Sequence, residues 1–335
     1  MATYKGINGF AVQSVASDPS PLDEGQVWYN NATYAFKLAT VTTSGTWASG
    51  GNLNTARSYV SGTGTATAGL AYSSAQSPYN QSESYNGTSW TNTSDLNSGS
   101  YGKSGAGTLT ATVTTGGYDF PNTSEKFNGT SWTTGNSLNS SLVYRGCFGV
   151  QTAAIAAAGG STGVPSGTGL SSTVESYNGT SWTVSPSTVN SARRLNQGSA
   201  GISTAGLIFG GYAPSPVFFD DSSTATESYN GTSWTSVNAM NTGRRLAAGF
   251  GSQTLAVTSG GYGPNGAGSP QLSSAETWNG TSWASAASMP ASTGGAAGLG
   301  SFSSGLSAGG QSPNTAATYV WTGPGSPTTR TITTS

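Results

Sequence analysis

Short runs of alternating apolar and polar residues recur along this chain, and five of them are near-copies of one phrase: Glu83 to Trp90 (ESYNGTSW), Glu125 to Trp132, Glu175 to Trp182, Glu227 to Trp234 and Glu276 to Trp283. In each copy an Asn-Gly pair separates two alternating runs, the strongest local signal for a two-residue β-hairpin turn. With Asn86 and Gly87 in the turn, the period of two places Glu83, Tyr85, Thr88 and Trp90 on one sheet face, Glu83 opposite Trp90. That face is the one to bury.

The tryptophans step by 42, 50, 52 and 49 residues (90 to 132, 132 to 182, 182 to 234, 234 to 283), a period of β-propeller blades rather than of helical or leucine-rich repeats. A four-stranded blade cannot bury such a face alone, so blades must stack, with Trp90, Trp132, Trp182, Trp234 and Trp283 as packing anchors. Between the phrases, small and apolar runs end in Gly116-Gly117, Gly159-Gly160, Gly210-Gly211, Gly260-Gly261 and Gly309-Gly310, and read as inner strands followed by tight turns. A third signal precedes these runs: Leu53 to Arg57, Asp95 to Gly99, Ser137 to Ser141, Thr188 to Arg194, Ala239 to Arg245 and Ser288 to Gly295, which makes six lead-in segments.

The sixth repeat finishes with Ala317 to Trp321 (ATYVW), with Tyr319 as its third-strand tyrosine and no NGTSW after it. Conversely, Ser44 to Trp47 (SGTW) has no third strand of its own but is followed by a lead-in. Trp47 is therefore expected to close the sixth blade as a strand exchanged between distant parts of the chain, which removes exposed sheet edges. Lead-in arginine, Gly-Gly, Glu-x-aromatic and Trp recurring in that order over residues 47 to 321 resemble kelch repeats, with a shortened aromatic-to-Trp spacing and no Gly-Gly in the first blade. The resemblance implies an all-β fold: a six-bladed kelch-like β-propeller at 44–322, closed by the strand around Trp47, with an N-terminal arm at 1–43 and a C-terminal tail at 323–335.

The arm carries a separate hairpin signal, GQVWYN (Gly25 to Asn30) and TYAFKLA (Thr33 to Ala39) around Asn30-Asn31. It resembles the virion-attachment pieces of bacteriophage tail fibres and related appendages, which implies particle attachment through Trp28 and Tyr29. The Pro/Gly-containing segment Gly323 to Ser335 reads by composition as a mobile tail.

Charged residues are 7% of the 335, and Gly contributes 50, a composition that points toward disorder until the 9 Trp, 15 Tyr and 10 Phe at periodic positions are counted. A net charge of −1 leaves no electrostatic footprint for nucleic acid, and no apolar run is long enough for membrane insertion. The N-terminus lacks a secretory signal, so synthesis in the host cytoplasm and residence in a virion are expected. Cys147, in RGCFGV, reads as a small buried residue.

There is no histidine, which removes the commonest general base and the copper and zinc ligands, so neither catalysis nor a cofactor is expected. The copper oxidases among kelch-like propellers need histidines absent here. The Asp box of sialidase-like propellers is also missing, because Asn86 and Gly87 are adjacent. Each NGTS satisfies the N-glycosylation pattern, but turn chemistry explains the same letters. Asp220 and Asp221, two adjacent carboxylates, fall short of a calcium site.

Arg57, Arg193 and Arg244 share one repeat position, joined by Arg194 and Arg245, while Glu83, Glu125, Glu175, Glu227 and Glu276 share another. One reading pairs these charges within or between blades. The other makes Arg193, Arg194, Arg244 and Arg245 the mouth for an anionic host glycan, flanked by the variable loops Ser161 to Ser171 and Ala213 to Ala225. The expected function is a non-enzymatic bacteriophage structural protein, either tail fibre or appendage or capsid decoration. Its arms bind other virion proteins in a symmetric assembly. The alternative is a glycan-binding receptor-recognition module; an intracellular adaptor or hydrolase is least favoured.

Overall fold

The computed structural model describes residues 12–20, 26–41, 44–163, 169–195, 198–213, 222–264, 270–311, 313–325 and 327–332. They hold seven four-stranded sheets and no helix. The chain divides into two compact units, Thr46–Thr322 and a second formed by Met1–Gly45 with Gly323–Ser335.

Six of the sheets lie in Thr46–Thr322. The first consists of Ser61–Thr65, Ala68–Tyr72, Ser82–Tyr85 and Trp90–Asn92, each antiparallel to the next. Four more follow the same order, opened by Gly105–Thr108, Gly146–Val150, Ser199–Ile202 and Ala248–Gly251 and closed by strands that start at Trp132, Trp182, Trp234 and Trp283. In the sixth, Ala297–Gly300, Ser304–Ala308 and Thr318–Thr322 are completed by Thr46–Ser49, with Trp47 opposite Trp321. Consecutive opening strands are neighbours, and the sixth returns to the first, so that all six line one cavity of about 100 Å³. The arrangement is propeller-like.

The hairpin turn differs from the expected one. Tyr85 pairs with Trp90 and Glu83 with Asn92, so the turn is the four residues Asn86 to Ser89 and not Asn86-Gly87 alone. The Asn86 side-chain oxygen accepts the amides of Thr88 and Ser89, each at 2.9 Å, and only Gly87 of the pair has positive φ, +95°. An asparagine folding back on its own backbone outcompetes the tight two-residue turn, and it does so in all five copies. The shift puts Thr88 in the exposed turn and sets Trp against the aromatic residue: Tyr85–Trp90 centroids are 4.8 Å apart, Phe127–Trp132 5.0 Å and Tyr177–Trp182 4.8 Å. The same register makes Trp321, not Tyr319, the aromatic partner in the sixth sheet, at 5.2 Å from Trp47.

Each Trp also reaches the neighbouring sheet. Trp132 meets Tyr72 edge-on at 5.4 Å, Trp283 meets Phe209 at 5.0 Å and Trp47 meets Phe250 at 6.3 Å, while Trp90 donates to Thr318 Oγ1 at 3.0 Å. Core clusters accordingly straddle sheet pairs, as where Tyr85 and Trp90 pack with Leu299 and Leu306.

The second unit is one sheet in the order Gln13–Val15, Val27–Asn30, Ala35–Val41, Pro327–Thr331. Val27–Asn30 and Ala35–Val41 form the expected hairpin, with Asn30 opposite Ala35. Residues 327–331, read from composition as part of a mobile tail, form a strand antiparallel to Ala35–Val41, for which their β-branched threonines are suited. The arm and the tail are therefore parts of one unit.

Candidate functional site

The repeated charges resolve into buried ion pairs. Arg57 meets Glu83 at 3.0 Å, Arg193 meets Glu227 at 2.5 Å and Arg244 meets Glu276 at 2.9 Å, with every side chain at most 2% exposed. Arg193 and Arg244 are thus committed inside their sheets and are withdrawn from the candidate glycan mouth. Two more pairs complete the set, Lys103–Glu125 at 3.5 Å and Arg145–Glu175 at 2.8 Å. Sequence reasoning missed both cations because each stands three residues beyond the position that holds arginine in the other sheets. Ser100 and Leu142 occupy that position, so five glutamates against three aligned arginines was the available signal.

Each glutamate also clamps its lead-in segment. Its carboxylate accepts the backbone amide of Asn54, Asn97, Asn139, Asn190 or Asn241 at 2.6–2.8 Å. For Glu175, burial alone raises the carboxyl pKa, but hydrogen bonds from Ser140, Arg145 and the Asn139 amide outweigh it and hold it below the ordinary value. Burial lowers the pKa of Arg145 and of Lys103, and the paired glutamate opposes this in each case.

Arg194 and Arg245, one residue further on, are half-buried and belong to a different environment. The Arg194 guanidinium lies 5.6 Å from the Tyr144 ring centre, and Arg245 lies 5.8 and 5.2 Å from those of Tyr212 and Tyr262. Tyr59, Tyr101 and Tyr144 form a triangle with centroids 5.6, 6.2 and 6.3 Å apart, and Tyr118 stacks on Tyr101 at 4.9 Å. Gln271 joins this group to the sixth repeat by donating to Tyr262 Oη at 2.9 Å and to the Gln311 carbonyl at 2.5 Å. A sequence signal for the tyrosines exists: Tyr118, Tyr212 and Tyr262 each follow a Gly-Gly pair, and Tyr59 and Tyr144 stand five residues after the lead-in asparagine. Residues 164–168 of loop Ser161 to Ser171 and 214–221 of loop Ala213 to Ala225, the latter including Asp220 and Asp221, lie outside the described residues. Among the described residues there is no group of three His, Cys, Asp or Glu placed to hold a metal ion.

In the other unit Trp28 is fully buried, its indole donating to Asp18 at 3.1 Å. Asn30 donates to the same carboxylate at 2.8 Å and Lys37 pairs with it at 3.3 Å. The hydrogen bonds from Asn30 and Trp28 and the Lys37 charge lower the Asp18 pKa. Trp28 is thus an internal anchor. Tyr29 points to the other face, packed on Phe36 at 5.1 Å, beside Val27, Phe36 and Ile332, which are 40%, 49% and 44% exposed.

The cavity among the opening strands is lined mostly by glycines, with Phe148, Phe250 and Leu299 among them and no charged side chain. Gly64, Gly107, Gly149, Gly201, Gly251 and Gly300 recur there with φ between +97° and +133°, and a Cβ on any of them would strike backbone of the adjacent strand. No protein-family model matches the chain, and no curated protein is similar to it.

Proposed function

We propose that this chain is a non-enzymatic structural protein of a bacteriophage particle, a tail fibre or appendage subunit or a capsid decoration protein. Its second unit docks on other virion proteins, and a six-bladed kelch-like propeller, closed by Thr46–Ser49, is displayed outward. The observation that carries the attachment role is the apolar face of Val27, Tyr29, Phe36 and Ile332, left open on a sheet whose opposite face is locked by Trp28, Asn30 and Asp18. The resemblance of Gly25 to Asn30 to phage attachment hairpins supports the same reading. The repeated acidic residues are spent on structural ion pairs rather than on an acid–base site.

The test is assembly into particles. Phe36→Ser with Tyr29→Ser is expected to abolish incorporation while the melting transition of residues 46–322 is retained; incorporation at the wild-type level refutes the docking assignment. A second reading, recognition of a host surface glycan, is favoured by the half-buried tyrosines and arginines around Tyr101 and Arg194.

A further inference from the structure

The lead-ins of the six-sheet unit converge just before the opening strands, and the side chains that meet there form a collar. Tyr59 follows the first sheet's lead-in, Tyr101 the second and Tyr144 the third, Arg194 and Arg245 end the fourth and fifth, and Gln311 is supplied by the sixth repeat. All six are half-buried, neither core nor free surface.

One feature of the collar has no structural explanation in the repeat, and that is charge. The lead-in cations buried in the first five sheets each have a glutamate, whereas Arg194 makes no ion pair among the described residues. Its Nη2 donates to the Ser161 carbonyl at 2.7 Å, and its Nε is buried without a partner. A half-buried guanidinium with one unpartnered nitrogen and no counter-charge is suited to an anion. The backbone under the rings belongs to the repeat: Tyr59, Tyr144 and Leu246 sit at φ +54°, +56° and +54°, and Gly102 and Gly295 hold the equivalent position in the second and sixth sheets, so the side chain displayed there varies on a common left-handed backbone.

We propose that the collar binds an acidic sugar residue of a surface polysaccharide, with the pyranose face against Tyr101 and Tyr144 and the carboxylate or sulfate on Arg194. The proposal rests on the glycan-recognition reading above and gives it a ligand class and a seat. Tyrosine faces and hydroxyls suit the two sides of a sugar ring, one apolar and one hydrogen-bonding. The guanidinium supplies a charge-assisted bond to the acid group. Asp119, which accepts Ser100 Oγ at 3.0 Å and borders Tyr101, adds an acceptor for sugar hydroxyls. Stacked tyrosines also accept nucleobases, but a polynucleotide needs a basic track along its phosphates, and here a carboxylate stands beside the rings.

The full chain is applied to an array of acidic and neutral bacterial polysaccharides, each acidic one printed also with its carboxylates methyl-esterified, together with a ten-residue oligothymidylate. Binding to at least one acidic polysaccharide is expected, weakened at least tenfold by esterification and by Arg194→Gln, and largely restored in Arg194→Lys. Tyr144→Gly, which removes a ring while relieving the backbone, is expected to lose binding with a melting temperature close to wild type. Binding that ignores both the ester and Arg194→Gln, or that is confined to neutral glycans, overturns the collar assignment and leaves glycan recognition standing. Silence toward every glycan overturns both, and binding of the oligothymidylate alone assigns the collar to nucleic acid instead.

Discussion

Cutting one ion pair tests whether the repeated charges hold the sheets together. In the third sheet Glu175 receives the Asn139 amide at 2.7 Å, Asn139 Nδ2 at 3.0 Å, the Ser140 amide at 3.2 Å, the Ser140 hydroxyl and Arg145 Nη1 at 2.8 Å. Arg145 donates further to the carbonyls of Ala156 at 2.8 Å and Thr173 at 3.3 Å, and neither side chain of the pair is exposed. Arg145→Met leaves a buried carboxylate without its cation and removes the guanidinium bonds to the Ala156 and Thr173 carbonyls, of which Thr173 keeps the Ala158 amide, a loss of about 3–5 kcal/mol. Glu175→Met strands the guanidinium and the Asn139 and Ser140 amides, at a similar cost of about 3–5 kcal/mol.

The double variant removes both charges. It is expected to be no less stable than either single variant, so that the cycle gives a coupling of at least about 3 kcal/mol. Urea unfolding followed by tryptophan fluorescence at neutral pH measures all four proteins. Single losses under about 1 kcal/mol, or losses that simply add, refute the argument. The pH dependence supplies a check on sign. The folded Glu175 pKa lies below its unfolded value, so its contribution is complete above about pH 4.3 and is lost as pH falls through the folded value. The gap between wild type and Glu175→Met therefore narrows in acid; a gap that widens there contradicts the assignment.

Gly251→Ala is expected to cost at least about 2 kcal/mol, since a Cβ at φ +120° meets the Leu255 carbonyl and no side chain can yield; an unchanged urea midpoint refutes this. Trp47→Ala removes a half-buried ring from Trp321 and Phe250 and is expected to cost about 2–3 kcal/mol, slightly less than a fully buried tryptophan. A wild-type melting temperature for that variant counts against closure of the sixth sheet by Thr46–Ser49.

Much of the sheet architecture was legible because one strand pair carries a phrase conserved across five copies within the chain, and periodicity of that kind fixes both strand type and repeat length. Even the exchanged strand around Trp47 could be read, from a Trp lacking its third strand and a third strand lacking its Trp. Register was less legible. Asn-Gly signals a turn, but whether two or four residues are consumed depends on where the asparagine side chain bonds, which letters alone do not state. The cations of the second and third pairs were hidden because geometry fixes where the charge must arrive, not which backbone position sends it: Lys103 and Arg145 reach the same glutamate site from three residues further on. The collar was legible in part: Arg194 and Arg245 stood out as a repeated pair, whereas the tyrosines beside them come from different sheets and meet only through the fold.

The sixth sheet shows that the clamp behaves as a unit. Its lead-in has Pro290 where the others have the asparagine, Thr293 where three have arginine and Ala296 where two have the alternative cation. Tyr319, opposite Ser49, stands where the others have glutamate. Proline has no amide to offer a carboxylate, and without the carboxylate a buried cation would be stranded. Losing one member alone leaves a charge or a donor unsatisfied, whereas losing all of them leaves none. Thr293 instead donates its hydroxyl to the Gly309 carbonyl at 3.3 Å, a neutral bond that needs no counter-ion. A repeat can therefore discard the whole set where its closing strand arrives from elsewhere in the chain, while the other five keep every member. By the same logic Arg194, half-buried and without an ion pair among the described residues, does not belong to this set, and the proposal above seeks its partner outside the chain.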